Sequence, residues 1–363
     1  MLNLFRRKRK NPEADSTGKQ YYLLKVKNIV QETADAISIV FETPEEGITY
    51  QSGQFLTLIA DIEGQEVRRS YSFCSTLGID TDLAVTVKRV NGGLMSNYLA
   101  DKVKVGDEIK VMEPIGNFTT EAVAENKRHL VFFAGGSGIT PFMSLIKFIM
   151  HKEPQSTITL VYANRNVDSI IFKDQLDQLI TKYEGRLSLE HVLDEAPEGW
   201  SGFSGFLDRT KLGSILASFP ESANTEYWMC GPQGMMQVVE SYLMEKAIHK
   251  DQIRKESFVA PTHEPDQDEN GVITRDVTIV YEGEEHRITV KPDSTILETG
   301  LDAGIDLPYS CQSGLCTACR CSLVSGEIKM DEDEGLTEKE REEGYVLICV
   351  GHPLTDDVKL KVG

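Results

Sequence analysis

Residues 311–319 have the sequence Cys-Gln-Ser-Gly-Leu-Cys-Thr-Ala-Cys, and a further cysteine, Cys349, follows after 29 intervening residues. The chain has seven cysteines in 363 residues, and five of them lie within 39 residues near the C-terminus. A disulfide scaffold would need more cysteines, more evenly spread. The grouping therefore indicates a metal site formed by thiolates in a reducing compartment.

The spacing of these cysteines distinguishes between two kinds of metal site. Cys-x4-Cys-x2-Cys with a distant fourth cysteine is typical of plant-type [2Fe–2S] ferredoxins. Structural zinc sites usually have two Cys-x2-Cys pairs, and the sequence has one such pair. The loop also carries small residues, which leave backbone N–H groups free to approach the cluster sulfurs. We therefore predict a [2Fe–2S] cluster whose ligands are Cys311, Cys316, Cys319 and Cys349.

The composition limits the remaining possibilities. A chain of 363 residues suggests two or three domains, and a net charge of −19 argues against nucleic-acid binding. No apolar run approaches the roughly 20 residues that cross a bilayer, and no signal-type apolar stretch follows the five cations at 6–10. We expect a cytoplasmic protein with no membrane span and a disordered basic tail at 1–19. The alternative for the tail is docking to an anionic membrane or an acidic partner.

Residues 20–123 alternate short apolar strands with turn residues and contain one predicted helix, Met95–Asp101. This pattern predicts a small antiparallel β-barrel. On one predicted strand Arg69 and Tyr71 share a face, where a guanidinium could neutralise a diphosphate beside an aromatic ring, and the neighbouring Ser72 could reach the N5 edge of a flavin. The stretch 92–96, Gly-Gly-Leu-Met-Ser, then offers free amides and a hydroxyl for an anion at the start of the helix.

From residue 128 to 259, apolar strands alternate with helical patterns, which predicts βαβ units around a doubly wound parallel sheet. The first strand ends in Gly-Gly-Ser-Gly-Ile-Thr-Pro at 135–141, the position of a phosphate-binding loop. Pro141 replaces the third glycine of the standard dinucleotide fingerprint. A later strand ends in Cys-Gly-Pro at 230–232, and Glu-Ser-Phe at 256–258 closes the segment with a ring that could cover a flavin.

An acidic, Pro-rich segment without periodicity, 260–275, is predicted to be a linker. Beyond it, a hairpin pattern and a helix from Thr295 to Ala303, with its N-cap at Asp293 or Ser294, precede the cysteine loop. A spare cysteine, Cys321, is predicted to be a small buried residue. From residue 264 onward there are 23 acidic and nine basic residues, so this part has a net charge of −14.

Taken in order, Arg-x-Tyr-Ser, Gly-Gly-x-x-Ser, Gly-Gly-Ser-Gly-Ile-Thr-Pro and Cys-Gly-Pro resemble the motifs of the ferredoxin–NADP reductase superfamily. With the C-terminal cysteine pattern, residues 20–363 resemble the reductase components of bacterial multicomponent oxygenases. The resemblance implies an FAD-binding β-barrel at 20–123, an NAD(P)-binding α/β domain at 128–259 and a [2Fe–2S] domain of the α+β, β-grasp type at 276–363.

The resemblance also implies which residues bind each cofactor, and it places Ser72 and Cys230 at the reacting atoms. Phe258 would stack on the flavin. The FAD set is Arg69, Tyr71, Ser72, Gly93, Met95 and Ser96, and the nicotinamide nucleotide set is Gly136, Gly138, Thr140, Cys230, Gly231 and Pro232.

The implied function is that of an NAD(P)H-dependent electron-transfer reductase. A nicotinamide gives up two electrons as a hydride and an iron–sulfur cluster accepts one, so a flavin between them divides the pair. The expected recipient is a protein with a basic patch facing the acidic cluster domain, an oxygenase of the phenylacetyl-CoA epoxidase type. A desaturase or another hydroxylase is the alternative. A non-catalytic iron–sulfur sensor or scaffold would leave the flavin and nucleotide motifs without a role.

The choice of nucleotide depends on the turn after the second strand of the α/β segment. There Ile158–Ala163 is followed by Asn-Arg-Asn, and an arginine at this turn suits the 2′-phosphate of NADPH. We expect NADPH, bound through Arg165. NADH is the alternative, because Arg165 could instead face solvent or pair with Asp168 or Asp174.

Overall fold

The computed structural model describes residues 13–14, 20–44, 47–219, 224–258, 274–333 and 335–362. These residues form three successive main sheets, each packed on a hydrophobic core, and one further two-stranded sheet. Most of the predicted tail and of the predicted linker lies outside the described residues. Where the tail is described the prediction of disorder is wrong, because Glu13–Ala14 forms a short strand that pairs with the beginning of the next one.

The first sheet is antiparallel and curled. Ile37, Ile39 and Phe41 alternate along one of its strands and point into the core, as the two-residue period of a strand requires. A bridge between Phe73 and Val85 joins the two edges of the sheet, so the predicted antiparallel architecture is confirmed. Its elements are β1 (Glu13–Ala14), β2 (Gln20–Thr33), β3 (Ala36–Phe41), β4 (Phe55–Ile62), β5 (Gln65–Ser72), β6 (Leu83–Lys88), α1 (Leu94–Asp101) and β7 (Glu108–Met112). Its strand order is β5-β4-β7-β2-β3-β6, with β1 beside β2.

The second sheet is parallel, with helices on both faces, which confirms the doubly wound prediction. Its elements are β8 (His129–Gly135), α2 (Ile139–Lys152), β9 (Thr157–Asn164), α3 (Lys173–Lys182), β10 (Leu187–Leu193), β11 (Phe203–Ser204), α4 (Arg209–Ala217), β12 (Thr225–Cys230), α5 (Gln233–Glu245) and β13 (Ile253–Glu256). The strand order is β11-β10-β9-β8-β12-β13. The direction of winding reverses between β8 and β12, so a crevice opens beyond the carboxyl ends of these two strands.

The third sheet belongs to a small α+β unit, as predicted. Its elements are β14 (Arg275–Tyr281), β15 (Glu284–Val290), α6 (Ile296–Asp302), β16 (Arg320–Ser325), β17 (Ile328–Met330), α7 (Glu338–Glu342), β18 (Tyr345–Leu347), β19 (Gly351–Pro353) and β20 (Val358–Val362). The main sheet has the order β15-β14-β20-β16-β18, and β17 pairs with β19. Since β14 begins at Arg275, the linker ends at least one residue earlier than predicted.

Helix α6 begins one residue later than predicted, and its N-cap is Thr295 instead of Asp293 or Ser294. The Thr295 hydroxyl accepts a hydrogen bond from the Glu298 N–H at 3.1 Å, and the Glu298 carboxylate accepts one from the Thr295 N–H at 3.0 Å. This capping box requires Glu or Gln three residues after the cap, and neither Asp293 nor Ser294 has one there. No helix among the described residues is long and apolar enough to cross a bilayer.

A buried ion pair joins the residue before β8 to the residue after α2. An Arg128 amino group lies 2.7 Å from Oε1 of Glu153, whose side chain is fully buried. The same guanidinium reaches Glu226 at 2.7 Å. Burial raises the pKa of Glu153, but hydrogen bonds from Arg128, Asn126 and Ser156 outweigh burial and hold that pKa below its ordinary value. The carboxylate is therefore ionised in the folded protein near neutral pH.

Replacing Glu153 with Gln should lower the free energy of unfolding of the α/β unit by about 3 kcal/mol, because a buried charge loses its nearest partner. The stability from Glu153 is present above the ordinary pKa of a glutamate and is lost as the pH falls through the lower folded-state pKa, so the variant should lose stability less steeply in acid. Both tryptophans, Trp200 and Trp228, lie in this unit, so their fluorescence reports its unfolding.

Asp177→Asn is the matched control for this prediction. Asp177 pairs with Lys173 on the exposed face of α3, at 3.3 Å. Its loss should change the stability by less than about 0.5 kcal/mol. Equal effects of the two substitutions would contradict a structural role for the buried pair.

Candidate functional sites

A cavity of about 970 Å³ occupies the crevice beyond β8 and β12. Three predicted nucleotide residues, Gly136, Arg165 and Pro232, line it together. Lys88 and Arg89 from the end of β6 also line it, so the cavity lies between the curled sheet and the parallel sheet. A cavity of this size at the switch point of a doubly wound sheet is suited to a nucleotide.

Two glycines of the predicted motifs are required by close backbone contact. A Cβ at Gly138 would lie 2.0 Å from the carbonyl oxygen of Cys230, and a Cβ at Gly231 would lie 2.8 Å from the amide nitrogen of Gly135. The loops after β8 and β12 therefore touch each other through their backbones. This contact leaves no room for side chains and brings the amides of both loops to the same edge of the sheet.

Other predicted residues of these loops shape the backbone in this structure. Thr140 is buried, and its hydroxyl donates to the Ser137 carbonyl oxygen at 3.0 Å. Tyr162 of β9 donates to the Gly136 carbonyl oxygen at 3.0 Å, which anchors the loop from a neighbouring strand. Gly136 itself has a φ of +51°. The Thr140 side chain thus stabilises the loop, and contact with a nucleotide through this residue stays a prediction.

The larger cavity is lined by both a cation and a carboxylate. Arg165 is exposed, and within the described residues it forms an ion pair with neither Asp168 nor Asp174. Asp194, at the end of β10, lines the same cavity. Burial and the charge of Glu195 raise the pKa of Asp194, and the positive charge of Arg165 lowers it. Sequence reasoning missed Asp194, although an acid directly after an apolar strand was a visible signal.

A second, smaller cavity of about 70 Å³ brings the predicted flavin residues to the cluster loop. Arg69, Ser72 and Phe258 line it, and so does Cys311, a predicted cluster ligand. Phe258 is 46% exposed, so its ring is available to cover a bound group. The flavin and cluster motifs, about 240 residues apart in sequence, are therefore neighbours in space.

Tyr71 and Met95 of helix α1 pack in or against the core of the curled sheet and do not line the smaller cavity. Burial raises the pKa of the Tyr71 phenol, and the charge of nearby Arg69 lowers it, which is consistent with the predicted shared face. Met95 packs in the core, and the Ser96 hydroxyl accepts a hydrogen bond from the Val90 N–H at 3.1 Å. Their backbone amides at the start of α1 are thus the groups that could hold a diphosphate.

Cys230, one of the two residues predicted at the reacting atoms, is fully buried at the end of β12. Burial raises the pKa of its thiol well above the ordinary value, and the negative charge of Glu256 raises it further. The thiol is therefore protonated, and it cannot act as a nucleophile near neutral pH. Glu256 is itself buried and lines the smaller cavity together with Ser72. The sequence analysis singled out residues 256–258 because of the Phe258 ring, and it assigned no role to the Glu256 carboxylate.

The four predicted cluster ligands lie together. Cys311 interacts directly with Cys316 and Cys349, and Cys349 interacts with Cys319. Hydrogen bonds from Cys316 and Cys349 lower the pKa of the Cys311 thiol well below its ordinary value. Within the described residues, no three His, Cys, Asp or Glu side chains are placed to hold one metal ion. Four cysteine thiolates are the ligand set of a [2Fe–2S] cluster, and the four thiols that interact here supply that number.

The cluster loop is tightly packed on the segment that follows β17. A Cβ at Gly314, where φ is +74°, would lie 2.6 Å from the carbonyl oxygen of Glu332. The Ser313 N–H lies 3.4 Å from the Cys311 sulfur, as expected of amides that approach a cluster. Cys321 is buried in β16 and donates to the Cys319 carbonyl, in agreement with its predicted minor role.

Family models match all three parts of the chain. They are the oxidoreductase FAD-binding domain at 22–120, the oxidoreductase NAD-binding domain at 132–241 and the 2Fe-2S iron-sulfur cluster binding domain at 279–354. These matches confirm the predicted cofactors: FAD, a nicotinamide nucleotide and a [2Fe–2S] cluster. The chain is therefore an NAD(P)H-dependent oxidoreductase.

Two relatives match nearly the whole chain. The chain is 34% identical to a subunit of 1,2-phenylacetyl-CoA epoxidase from Escherichia coli (strain K12), covering 93% of this chain and 96% of that protein. It is 33% identical to the ferredoxin reductase component of 3-ketosteroid-9-alpha-monooxygenase from Rhodococcus rhodochrous, covering 95% and 97%. Phthalate dioxygenase reductase has the same fold, with a TM-score of 0.58 and 22% identity over 94% of this chain and 98% of that one.

Replacing Cys316 with Ser should separate the two redox centres. The cluster's visible absorption should disappear, together with NAD(P)H-dependent reduction of a protein acceptor, because a cluster ligand is lost. Ferricyanide reduction by NAD(P)H should survive, because hydride transfer needs only the first two domains. Cys321→Ser is the matched control and should retain both activities. Loss of both activities in a folded, flavin-containing Cys316 variant would contradict this division of roles.

Replacing Arg69 with Ala should weaken FAD binding by about ten- to a hundredfold, since a charge-assisted contact to a diphosphate contributes about 1.5–3 kcal/mol. The dissociation constant can be measured by adding FAD to the apoprotein and following flavin fluorescence. Lys104→Ala, at an exposed cation in the loop between α1 and β7, should leave the constant unchanged. Unaltered FAD affinity in the Arg69 variant would remove this residue from the site.

Proposed function

This chain belongs to the family of oxygenase reductase components that join FAD-binding, NAD-binding and 2Fe-2S domains, and we propose that it supplies electrons to an oxygenase of the phenylacetyl-CoA epoxidase type. Electrons pass from NAD(P)H through FAD and the cluster to the acceptor protein. The relative from Escherichia coli, which is part of such an epoxidase, supports this choice. The steroid monooxygenase component supports a different hydroxylase as the alternative acceptor.

The smaller cavity is the observation that supports the proposed electron path. Its walls include Arg69 and Ser72 from the curled sheet, Phe258 from the end of the α/β unit, and Cys311 from the cluster loop. A flavin held by the first three residues would stand beside the cluster. The larger cavity opens at the carboxyl edge of the parallel sheet, where a nucleotide would enter. The sites therefore follow the order of the redox steps.

Bound flavin supplies the chemistry of accepting a hydride and passing on single electrons. The residues of the chain orient and shield the reactants. The loops after β8 and β12 align the nucleotide through their backbones, and Phe258 covers the exposed side of the flavin site. Ser72 and Glu256 line the same cavity, so the hydroxyl and the carboxylate could hold or release a proton near the flavin.

Charge supports the expected kind of acceptor. The part from residue 264 onward carries a net charge of −14, so an acceptor with a basic patch would be steered toward the cluster domain. The test is reconstitution with purified oxygenase components, comparing phenylacetyl-CoA epoxidase with 3-ketosteroid 9α-hydroxylase. Oxygenation of phenylacetyl-CoA that depends on this reductase and NAD(P)H is the expected result. Turnover with the steroid oxygenase and not with the epoxidase would favour the alternative acceptor, a different hydroxylase.

We also propose NADPH as the preferred nucleotide. Arg165 lines the larger cavity and forms no ion pair among the described residues, although its charge acts on Asp194, so its guanidinium could bind a 2′-phosphate. Asp194 lines the same cavity and would favour NADH, since a carboxylate can accept a hydrogen bond from the 2′-hydroxyl of that nucleotide. The preference therefore depends on the balance between these two side chains.

Arg165→Ala should raise the KM for NADPH by about ten- to a hundredfold, because a contact to the 2′-phosphate contributes about 1.5–3 kcal/mol, and should leave the KM for NADH nearly unchanged. Asp194→Asn should act in reverse, raising the KM for NADH and lowering that for NADPH. Steady-state ferricyanide reduction measures both. Equal effects on the two nucleotides, or a wild-type protein that prefers NADH, would refute the proposal.

A further inference from the structure

Three hydroxyl groups meet where the cluster domain rests on the curled sheet. Thr57 of β4 and Ser70 of β5 are register partners, and their hydroxyl oxygens are 3.2 Å apart. Ser310 of the cluster domain contacts both hydroxyls, and its oxygen lies 3.1 Å from that of Ser70. Each hydroxyl can donate one proton and accept another, so the three groups can satisfy one another in a closed ring. The curled sheet thus offers a preformed pair that the cluster domain completes.

The position of these residues in the chain connects them with both redox sites. Ser310 directly precedes Cys311, a proposed cluster ligand, and Ser70 stands between Arg69 and Tyr71, proposed FAD residues. Ser70, Ser310 and Cys311 all line the smaller cavity. Thr57 and Ser310 are almost completely buried, with 0% and 3% of their surface exposed. A shift of Ser310 relative to Ser70 would therefore change the distance between flavin and cluster.

Neighbouring contacts support the same docked position. The Arg68 guanidinium lies 5.0 Å from the centre of the Tyr309 ring, one residue before Ser310. The Asn117 side-chain amide donates to the Gly335 carbonyl oxygen at 3.1 Å. Phe55 packs on Cys316 and Ala318 of the cluster loop. These contacts are a cation–π contact, a hydrogen bond and one small apolar cluster, so this contact area resembles interdomain surfaces that can separate.

We propose that Thr57, Ser70 and Ser310 form a hydroxyl latch that positions the cluster for electron transfer from the flavin. The inference rests on the proposed function. The step moves one electron at a time from reduced flavin to oxidised cluster, with NAD(P)H as the reductant, and the latch residues are neither oxidised nor reduced. They are positioning residues, which hold the cluster domain in the docked arrangement.

The test is anaerobic stopped-flow reduction of the full-length protein by NAD(P)H, with the flavin and cluster absorption bands followed separately. Thr57→Val keeps the shape of the side chain and removes its hydroxyl. The rate constant of cluster reduction should fall about five- to tenfold, the population change expected from losing about one net hydrogen bond. The rate of flavin reduction and the rate of steady-state ferricyanide reduction should be unchanged. Both reactions require only electron transfer from NAD(P)H to the flavin, which comes before electron transfer to the cluster.

Thr86→Val is the matched control, since it removes a similarly buried hydroxyl whose partners, Ser38 of β3 and Cys74 just beyond the end of β5, lie outside the cluster domain. It should leave the rate of cluster reduction unchanged. Ser310→Ala removes the hydroxyl that the cluster domain contributes, and it should reproduce the effect of Thr57→Val. If one of these two variants fails to fold, the other still tests the proposal. Cluster content is measured from iron and the visible spectrum of each protein.

Three outcomes are informative. Slower cluster reduction in Thr57→Val and Ser310→Ala, with normal flavin reduction and cluster content, supports the latch. Wild-type rates in either variant, or the same slowing in Thr86→Val, would overturn it. Failure of the wild-type cluster to accept electrons from NAD(P)H would instead refute the proposed function.

Discussion

The central constraint on this structure is that three separately folded units must bring their binding sites to one place. The cluster loop meets this requirement by resting on β4 and β5, where Ser310 contacts Thr57 and Ser70. Cys311 follows Ser310 directly, so the docking contact and the cluster site cannot move independently. In the proposed path, electron transfer to the cluster depends on this contact, because the proposed flavin residues Arg69, Ser72 and Phe258 line the smaller cavity beside Cys311 and lie outside the cluster domain.

The α/β unit satisfies a related constraint at the carboxyl edge of its sheet. The loops after β8 and β12 touch through their backbones, and a Cβ at Gly138 would clash with the Cys230 carbonyl. Glycine is needed there because any side chain would separate the loops. The buried pair of Arg128 and Glu153 lies near the opposite end of β8, away from the crevice. The buried ion pair and the larger cavity therefore lie toward opposite ends of the same sheet.

The hydrophobic pattern of the sequence and the spacing of its cysteines were sufficient to predict much of the architecture. The antiparallel sheet, the doubly wound sheet and the order of the three units follow from strand and helix periodicity, and the cysteine spacing was specific for the cluster. The errors were local. Helix α6 is capped by Thr295 because Glu298 completes a capping box, and Glu13–Ala14 pairs with β2, a contact that propensity alone cannot foresee.

The sequence by itself determined which residues can do chemistry: four thiols at a cluster spacing, glycines at strand ends, and Arg69 and Tyr71 on one strand. Only the tertiary structure decided which of these meet. The tertiary structure placed Cys311 beside Ser72 and Phe258. It also placed Glu256 in the lining of the smaller cavity and Asp194 in the lining of the larger one. The Thr140 hydroxyl donates a hydrogen bond within its own loop. Periodicity reports the local backbone conformation. Contacts such as that between Ser70 and Ser310, separated by 240 residues, depend on how whole domains pack, and no local pattern encodes that packing.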